Sequence, residues 1–260
     1  MSFHERIAGR VVEVVIDFPP VNALPIHAWH ELAGILRRRG ADPDVSAVVL
    51  AAEGRGFCAG PDVGEMAMGG REALIAVNRA CADAFAAVFE CEVPVIAAVQ
   101  GFCVGGGVGL VGNADVIVAS EDAYFGLPEV DRGALGAATH LSRLVPPHRM
   151  RHMFFTAENA TARELHGYGS VLEVVPRERL REAAHRVARK IAEKHPAVIR
   201  RAKESVNVIE AVDPRRSYRF EQGFTFELNL TDIPDEARRA YMEKRRPQYR
   251  ERGEGAGDGG

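Results

Sequence analysis

The sequence predicts an α/β domain built on a parallel sheet with helices on both faces, followed by a helical C-terminal third. Uninterrupted apolar runs recur at residues 47–52, 95–99 and 116–119, as strands buried on both faces require, and a β-branched run fills residues 11–18. Helical periodicity fills the intervals between them, as in Leu74, Val77, Ala80, Cys81 and Ala84. Beyond Leu144 strand signals nearly vanish and helical ones accumulate.

In chain order, residues 11–18 are a β-branched strand stopped at Pro19-Pro20, which cannot continue a ladder. Residues 25–39 read as a helix with Pro25 in its first turn. The strands at 47–52 and 95–99 each run into a glycine-rich turn, and the Ala-rich stretch 71–89 between them is a packing helix. Thr161-Ala162-Arg163-Glu164 is a capping box that starts a short helix. Residues 171–175 give one more strand, followed by helices near 177–194, 196–205, 214–230 and 233–244. The last ten residues, 251–260, hold five Gly and no large apolar side chain, so they cannot offset ordering entropy and are expected to be disordered.

Composition narrows the function. A formal charge of -3, from 33 basic and 36 acidic residues interspersed, gives no bulk attraction to nucleic acid or anionic membrane, so neither is an expected partner. Cys58, Cys81, Cys91 and Cys103 form no CxxC pair, so no metal site or disulfide is expected and the thiols should be reduced, as in a cytoplasm. His4, Glu5 and Arg6 stand where a signal peptide needs an apolar run, and no stretch of 18 apolar residues occurs. The expectation is a cytoplasmic protein that neither spans a membrane nor is exported.

Two segments look like a site. Gly54-Arg55-Gly56-Phe57-Cys58-Ala59-Gly60-Pro61-Asp62 follows the strand at 47–52, and Gly101-Phe102-Cys103-Val104-Gly105-Gly106-Gly107-Val108-Gly109 follows the strand at 95–99. Glycines there let backbone approach a ligand and turn N–H groups into a cleft, and three in succession at a helix start can hold an oxyanion. Both turns lie at carboxyl ends of parallel strands, where open α/β sheets place ligands. Gly107-Val108-Gly109-Leu110-Val111-Gly112 also matches GxGxxG, but it lies in mid-chain and several residues past its strand, which argues against a dinucleotide turn.

With both turns placed, the chain resembles the crotonase superfamily, the enoyl-CoA hydratase/isomerase family. The resemblance rests on Phe57-Cys58-Ala59-Gly60-Pro61-Asp62, Gly101 to Gly107, Asn113-Ala114-Asp115, Phe125-Gly126-Leu127-Pro128-Glu129 and Glu243-Lys244-Arg245, in the family's order and spacing. It implies a spiral of β-β-α turns over 1–195 that carries the CoA and active sites. It further implies a helical region over 196–250 for trimerisation, often in a dimer of trimers. It implies a substrate carried as its coenzyme A thioester, with no other cofactor, and two backbone N–H groups holding the thioester oxygen, at Pro61 and Gly106. Gly106 suits that role, whereas Pro61 has no N–H, so Gly60 or Asp62 supplies the second donor or the hole has one donor. For CoA the resemblance points to Ala23, Leu24, Ala59 and Asp62 around the adenine pocket, and to Phe226 and Lys244 from a neighbouring subunit.

Hydratases of this family use two glutamates. The second matches Glu129 and the first falls on Gly109, so Glu129 is the expected acid/base and the two-glutamate mechanism is in doubt. Asp131 is a further candidate if its stretch is extended, because alternate residues then face one side. Asp62 is expected to cap the next helix, Asp115 to tie down a strand entry, and His140 to be a satisfied structural histidine.

The stretch from Gly126 to Leu144, with Gly112 to Asp115 and Gln222 to Leu228, resembles actinobacterial crotonases that hydrolyse a ring carbon-carbon bond of a steroid-derived CoA thioester. One carboxylate can serve there, and the missing side chain at Gly109 is expected to leave room for a bulky acyl group. Two other readings stay open. One is an enoyl-CoA hydratase or isomerase using Glu129 and Asp131. The other is an RNA-binding relative using the basic cluster Arg238, Arg239, Lys244, Arg245 and Arg246.

Overall fold

The computed structural model describes residues 1–68, 70–210, 213–231 and 233–248; the glycine-rich tail expected to be disordered lies outside them. β1 (Ser2–Ala8) and β2 (Val11–Asp17) form an antiparallel hairpin. A repeating unit then begins, in which a strand of the main sheet leads to a short strand in a second layer and on to a helix. β2 is followed by β3 (Ala23–Leu24) and α1 (Ile26–Ala41), and β4 (Ala47–Ala52) by β5 (Gly60–Pro61), α2 (Val63–Met68) and α3 (Gly70–Phe89). β6 (Val95–Val99) leads to β7 (Phe102–Val104) and α4 (Gly106–Val111), and β8 (Val116–Ser120) to β9 (Tyr124–Gly126), a 3-10 turn at Pro128–Arg132 and α5 (Ala138–Leu141). This is the expected β-β-α spiral.

The chain continues through α6 (Pro147–Thr156), β10 (Ala160–Thr161), α7 (Ala162–Tyr168), β11 (Glu173–Val175), α8 (Leu180–Ala192), α9 (Pro196–Ile209), α10 (Pro214–Leu228) and α11 (Ile233–Met242). The main sheet runs in the order β1-β2-β4-β6-β8-β11, with every pair after the first hairpin parallel. The short strands make their own ladders, β3 with β5 and β7 with β9, joined by a bridge between Cys58 and Cys103.

Both faces of the sheet are covered, which is why the central strands β4 and β6 read as unbroken apolar runs. Val12, Val14, Val48 and Leu50 face the core under α1 and α3. Val11, Val49, Ile96 and Val118 face Leu180, Ala184 and Ala188 of α8. Asp115 accepts hydrogen bonds from the Val95 N–H (2.8 Å) and the buried Lys203 ammonium (2.7 Å), and so ties the entries of β6 and β8 to α9 as expected. The capping box is half formed. Thr161 Oγ1 accepts from the Glu164 N–H at 3.2 Å, but the Glu164 carboxylate turns to Arg149 at 2.6 Å. The edge strand β1 was not anticipated.

Candidate active site

The two glycine-rich turns meet at the carboxyl ends of β4 and β6. The first is aligned by the β3–β5 ladder, in which Ala23 pairs with Gly60 and Leu24 with Pro61. The Ala59 N–H donates to the Asn22 carbonyl (3.2 Å) and the Asp62 N–H to the Leu24 carbonyl (3.0 Å). Asn22, buried with φ 51°, donates its amide to the carbonyls of Glu53 and Gly56 and so pins the loop before β3 to the turn after β4. Ala23, Leu24, Ala59 and Asp62 are thus brought together. Asp62 Oδ1 accepts from the Gly64 N–H at 2.8 Å, the expected cap of α2.

The second turn crosses against the first so closely that a Cβ on Gly60 would fall 3.0 Å from the Gly106 nitrogen. Gly105, at φ +56°, starts α4, and Gly106 is its first residue. The Gly106 N–H therefore has no intrahelical acceptor, and Gly106 lines a cavity of about 130 Å³. The question of the second donor becomes sharper. The Asp62 N–H is taken by Leu24, and the Gly60 N–H points to Cys58 Sγ at 3.3 Å. Of the three amides considered, only that of Gly106 is free.

Across the cavity stands Glu129, in the 3-10 turn. The carboxylate is pinned between two glycines, since a Cβ on Gly105 would fall 2.7 Å from Oε1 and one on Gly136 would overlap the carboxyl carbon. The residue as a whole is half-buried, but Oε2 is buried without a hydrogen-bond partner among the described residues. Burial pushes the Glu129 carboxyl up to about 7, helped by the Glu221 carboxylate and opposed by its own backbone amide and the Arg132 guanidinium. A group poised near 7 can take and return a proton at neutral pH. Cys81 also lines the cavity, its thiol held well above the usual range by burial, so it is no nucleophile.

Other expectations are corrected. The segment carrying Asp131 is a 3-10 turn and not extended, so residues two apart point to different sides; Asp131 is exposed and does not line the cavity. Gly109 leaves no room for an acyl group, because a Cβ there would strike the Phe85 ring, with Cε1 at 2.5 Å. His140 is buried as expected but not satisfied: neither ring nitrogen has a hydrogen-bond partner among the described residues. Phe226 is half-buried on α10 and Lys244 exposed beyond α11; expected to serve a neighbouring subunit, they do not line this chain's own cavity, which leaves that expectation as it stood.

Sequence reasoning missed the wall that α10 and α11 supply. Tyr218, Thr225 and Asn229 from α10 and its end, and Arg238 from α11, line the cavity with Arg132 and Asn78. The signal was present as polar residues at helical spacing, Tyr218, Gln222, Thr225 and Asn229, on one face of α10. Glu221 fastens this helix by accepting from the Ala138 and Thr139 N–H groups (2.9 and 3.1 Å), and burial pushes its carboxyl up to about 7. Of the basic cluster, Arg238 pairs with Asp235, Arg239 with Glu236, and Arg245 with Glu236 and Glu243, which spends most of its charge internally.

Comparison with known proteins adds an independent line. The family described as enoyl-CoA hydratase/isomerase matches residues 6–252. The chain belongs to this family. Among enoyl-CoA hydratase/isomerase relatives, a protein of Rhodococcus jostii (strain RHA1) is 59% identical over 92% of this chain and 93% of its own length. One of Mycobacterium tuberculosis (strain ATCC 25618 / H37Rv) is 62% identical over 90% of this chain and 95% of its own. Both are named (7aS)-7a-methyl-1,5-dioxo-2,3,5,6,7,7a-hexahydro-1H-indene-carboxyl-CoA hydrolase. The crystal structure of an enoyl-CoA hydratase of Mycobacterium smegmatis superposes with a TM-score of 0.77 at 31% identity, over 95% of this chain and 98% of that one. The chain is thus an enzyme of the crotonase family. Among the described residues no helix is long and apolar enough to cross a membrane, and no cluster of three or more His, Cys, Asp or Glu could hold a metal ion.

Proposed function

We propose that this enzyme hydrolyses a ring carbon-carbon bond of a cyclic ketoacyl-CoA, a bicyclic dioxo acyl group of the kind named for its two relatives and of steroid origin. The observation that carries the reading is the lone carboxylate of Glu129 facing Gly106, with Phe85 in the space a second glutamate would need. Glu129 takes a proton from water, whose oxygen adds to the ring ketone. The bond from that carbon to the thioester α-carbon breaks, the ketone carbon becomes a carboxyl group, and the electron pair passes into a thioester enolate. The Gly106 N–H and the start of α4 hold the enolate oxygen, and Glu129 returns its proton to the α-carbon. One water is consumed, and one acid/base group suffices.

In this reading the CoA moiety lies along Ala23, Leu24, Ala59 and Asp62, with Phe226 and Lys244 contributed from a neighbouring protomer of a trimer or hexamer. Exposed apolar side chains on the C-terminal helices, among them Val208 (79%), Ile209 (75%) and Phe220 (73%), favour such an assembly. The test is Glu129→Gln. Turnover of the dioxo-hexahydroindene-carboxyl-CoA should vanish while the thioester still binds; unchanged turnover, or robust hydration of crotonyl-CoA by the unaltered enzyme, would overturn the assignment.

A further inference from the structure

The cavity between Gly106 and Glu129, at about 130 Å³, is well short of the roughly 300–1,000 Å³ usual for small-molecule sites. A bicyclic acyl group needs more space than that, and a larger cleft lies next to it. Phe85 and Tyr218 form one wall of the cavity and, on their other side, the wall of a cleft of about 650 Å³ between α3 and α10. His140 lines that cleft, packed against both rings with centroids 5.0 Å from Phe85 and 4.9 Å from Tyr218. It is 1% exposed, and neither nitrogen has a hydrogen-bond partner among the described residues.

A buried polar group left unpaired in this way costs stability, and such costs are kept where a ligand supplies the missing partner. Burial pushes the His140 ring down to about 3, so it is neutral and carries one N–H donor and one lone pair. A ketone oxygen is a natural acceptor for that N–H.

We propose that the acyl site extends past Phe85 and Tyr218 into the cleft between α3 and α10, and that His140 there donates a hydrogen bond to the second oxo group of the substrate. His140 is thus a specificity residue that favours dioxo over mono-oxo ring acyl groups. The choice of substrate class rests on the ring-opening reading above. The ring attacked is held near Glu129, and the distal ketone reaches the imidazole once the two aromatic side chains rotate.

The test separates this role from a packing role and from the reaction itself. In a Glu129→Gln background, the affinity of the dioxo-hexahydroindene-carboxyl-CoA is compared with that of the analogue lacking the distal oxo group, with and without His140→Leu. Removing the imidazole should weaken the dioxo ligand about ten-fold, the range of one hydrogen bond in a buried site, and leave the mono-oxo ligand unchanged. Because the orphaned nitrogens disappear, the melting temperature of His140→Leu should be equal to or above that of its parent, and His140→Gln should recover part of the selectivity. Equal weakening of both ligands, no weakening of either, or a lower melting temperature with selectivity intact would overturn the proposal. Binding is read whether or not the thioester is hydrolysed, so failure of the reaction shows separately, as absent turnover by the unaltered enzyme.

Discussion

Gly136 and Glu129 are locked together: a Cβ on Gly136 would fall 2.9 Å from Glu129 Oε1 and overlap the carboxyl carbon. The glycine is there because a carboxylate needs its space. Gly136→Ala should therefore turn the acid/base group off line, with kcat reduced about hundred-fold, the penalty of misplacing a reacting group by about an ångström. Thioester affinity should change little, so the effect belongs to kcat and not KM. A kcat within two-fold of the parent would show that the carboxylate has another productive position.

The two raised carboxyls make stability depend on pH in an unusual direction. Glu129 and Glu221 both titrate near 7 in the folded chain, against an ordinary value of 4.5, so the folded state holds protons that the unfolded chain releases. Their contribution is fully present below about 4.5 and is lost as pH rises through 7. Glu129→Gln should thus flatten the fall in urea midpoint between pH 5 and pH 8, and be more stable than the parent at pH 8. An identical fall in parent and variant would place Glu129 in ordinary solvent.

Phe85 and Gly109 share one space, which can be tested as a pair. Gly109→Glu, which restores the residue pattern of a two-glutamate hydratase, should destabilise by at least the ~1–3 kcal/mol of overpacking and gain no hydratase activity. In the double variant with Phe85→Ala, the coupling should be favourable by ~0.5–3 kcal/mol, since each change relieves the other. Additive losses would mean that the ring and the backbone at 109 are independent.

Lys203, 4% exposed and bound to Asp115, lies far from the chemistry but holds α9 to the sheet. Lys203→Met leaves the Asp115 carboxylate without its cation and should cost about 3–5 kcal/mol. Thermal melting reads this directly, and a loss below 1 kcal/mol would mean that water replaces the ammonium.

Much of what was legible in the sequence is what backbone geometry demands. Gly60, Gly105 and Gly106 could be placed because close crossing of two turns tolerates no side chain, whereas Glu129 was placed by its match to the second glutamate of the family. The parallel strands were legible because burial on both faces erases alternation. β1 was not, since the polar residues His4, Glu5 and Arg6 sit among its apolar ones, as suits an edge strand. Asp131 was misplaced because a 3-10 turn and an extended strand read alike over five residues. The filling of the space at Gly109 comes from Phe85, 24 positions earlier, and the α10 wall from a helix more than 80 residues beyond the glycine turns. Neither has a local signature, because both arise only when distant elements pack.

The α10 and α11 wall also sets the order in which the protein becomes functional during its synthesis. Strands, glycine turns and Glu129 all leave the ribosome early, yet the compartment they face lacks a side until Tyr218, Asn229 and Arg238 have emerged. A nascent chain halted anywhere before those residues would carry the reactive carboxylate in a compartment open to bulk water on that side.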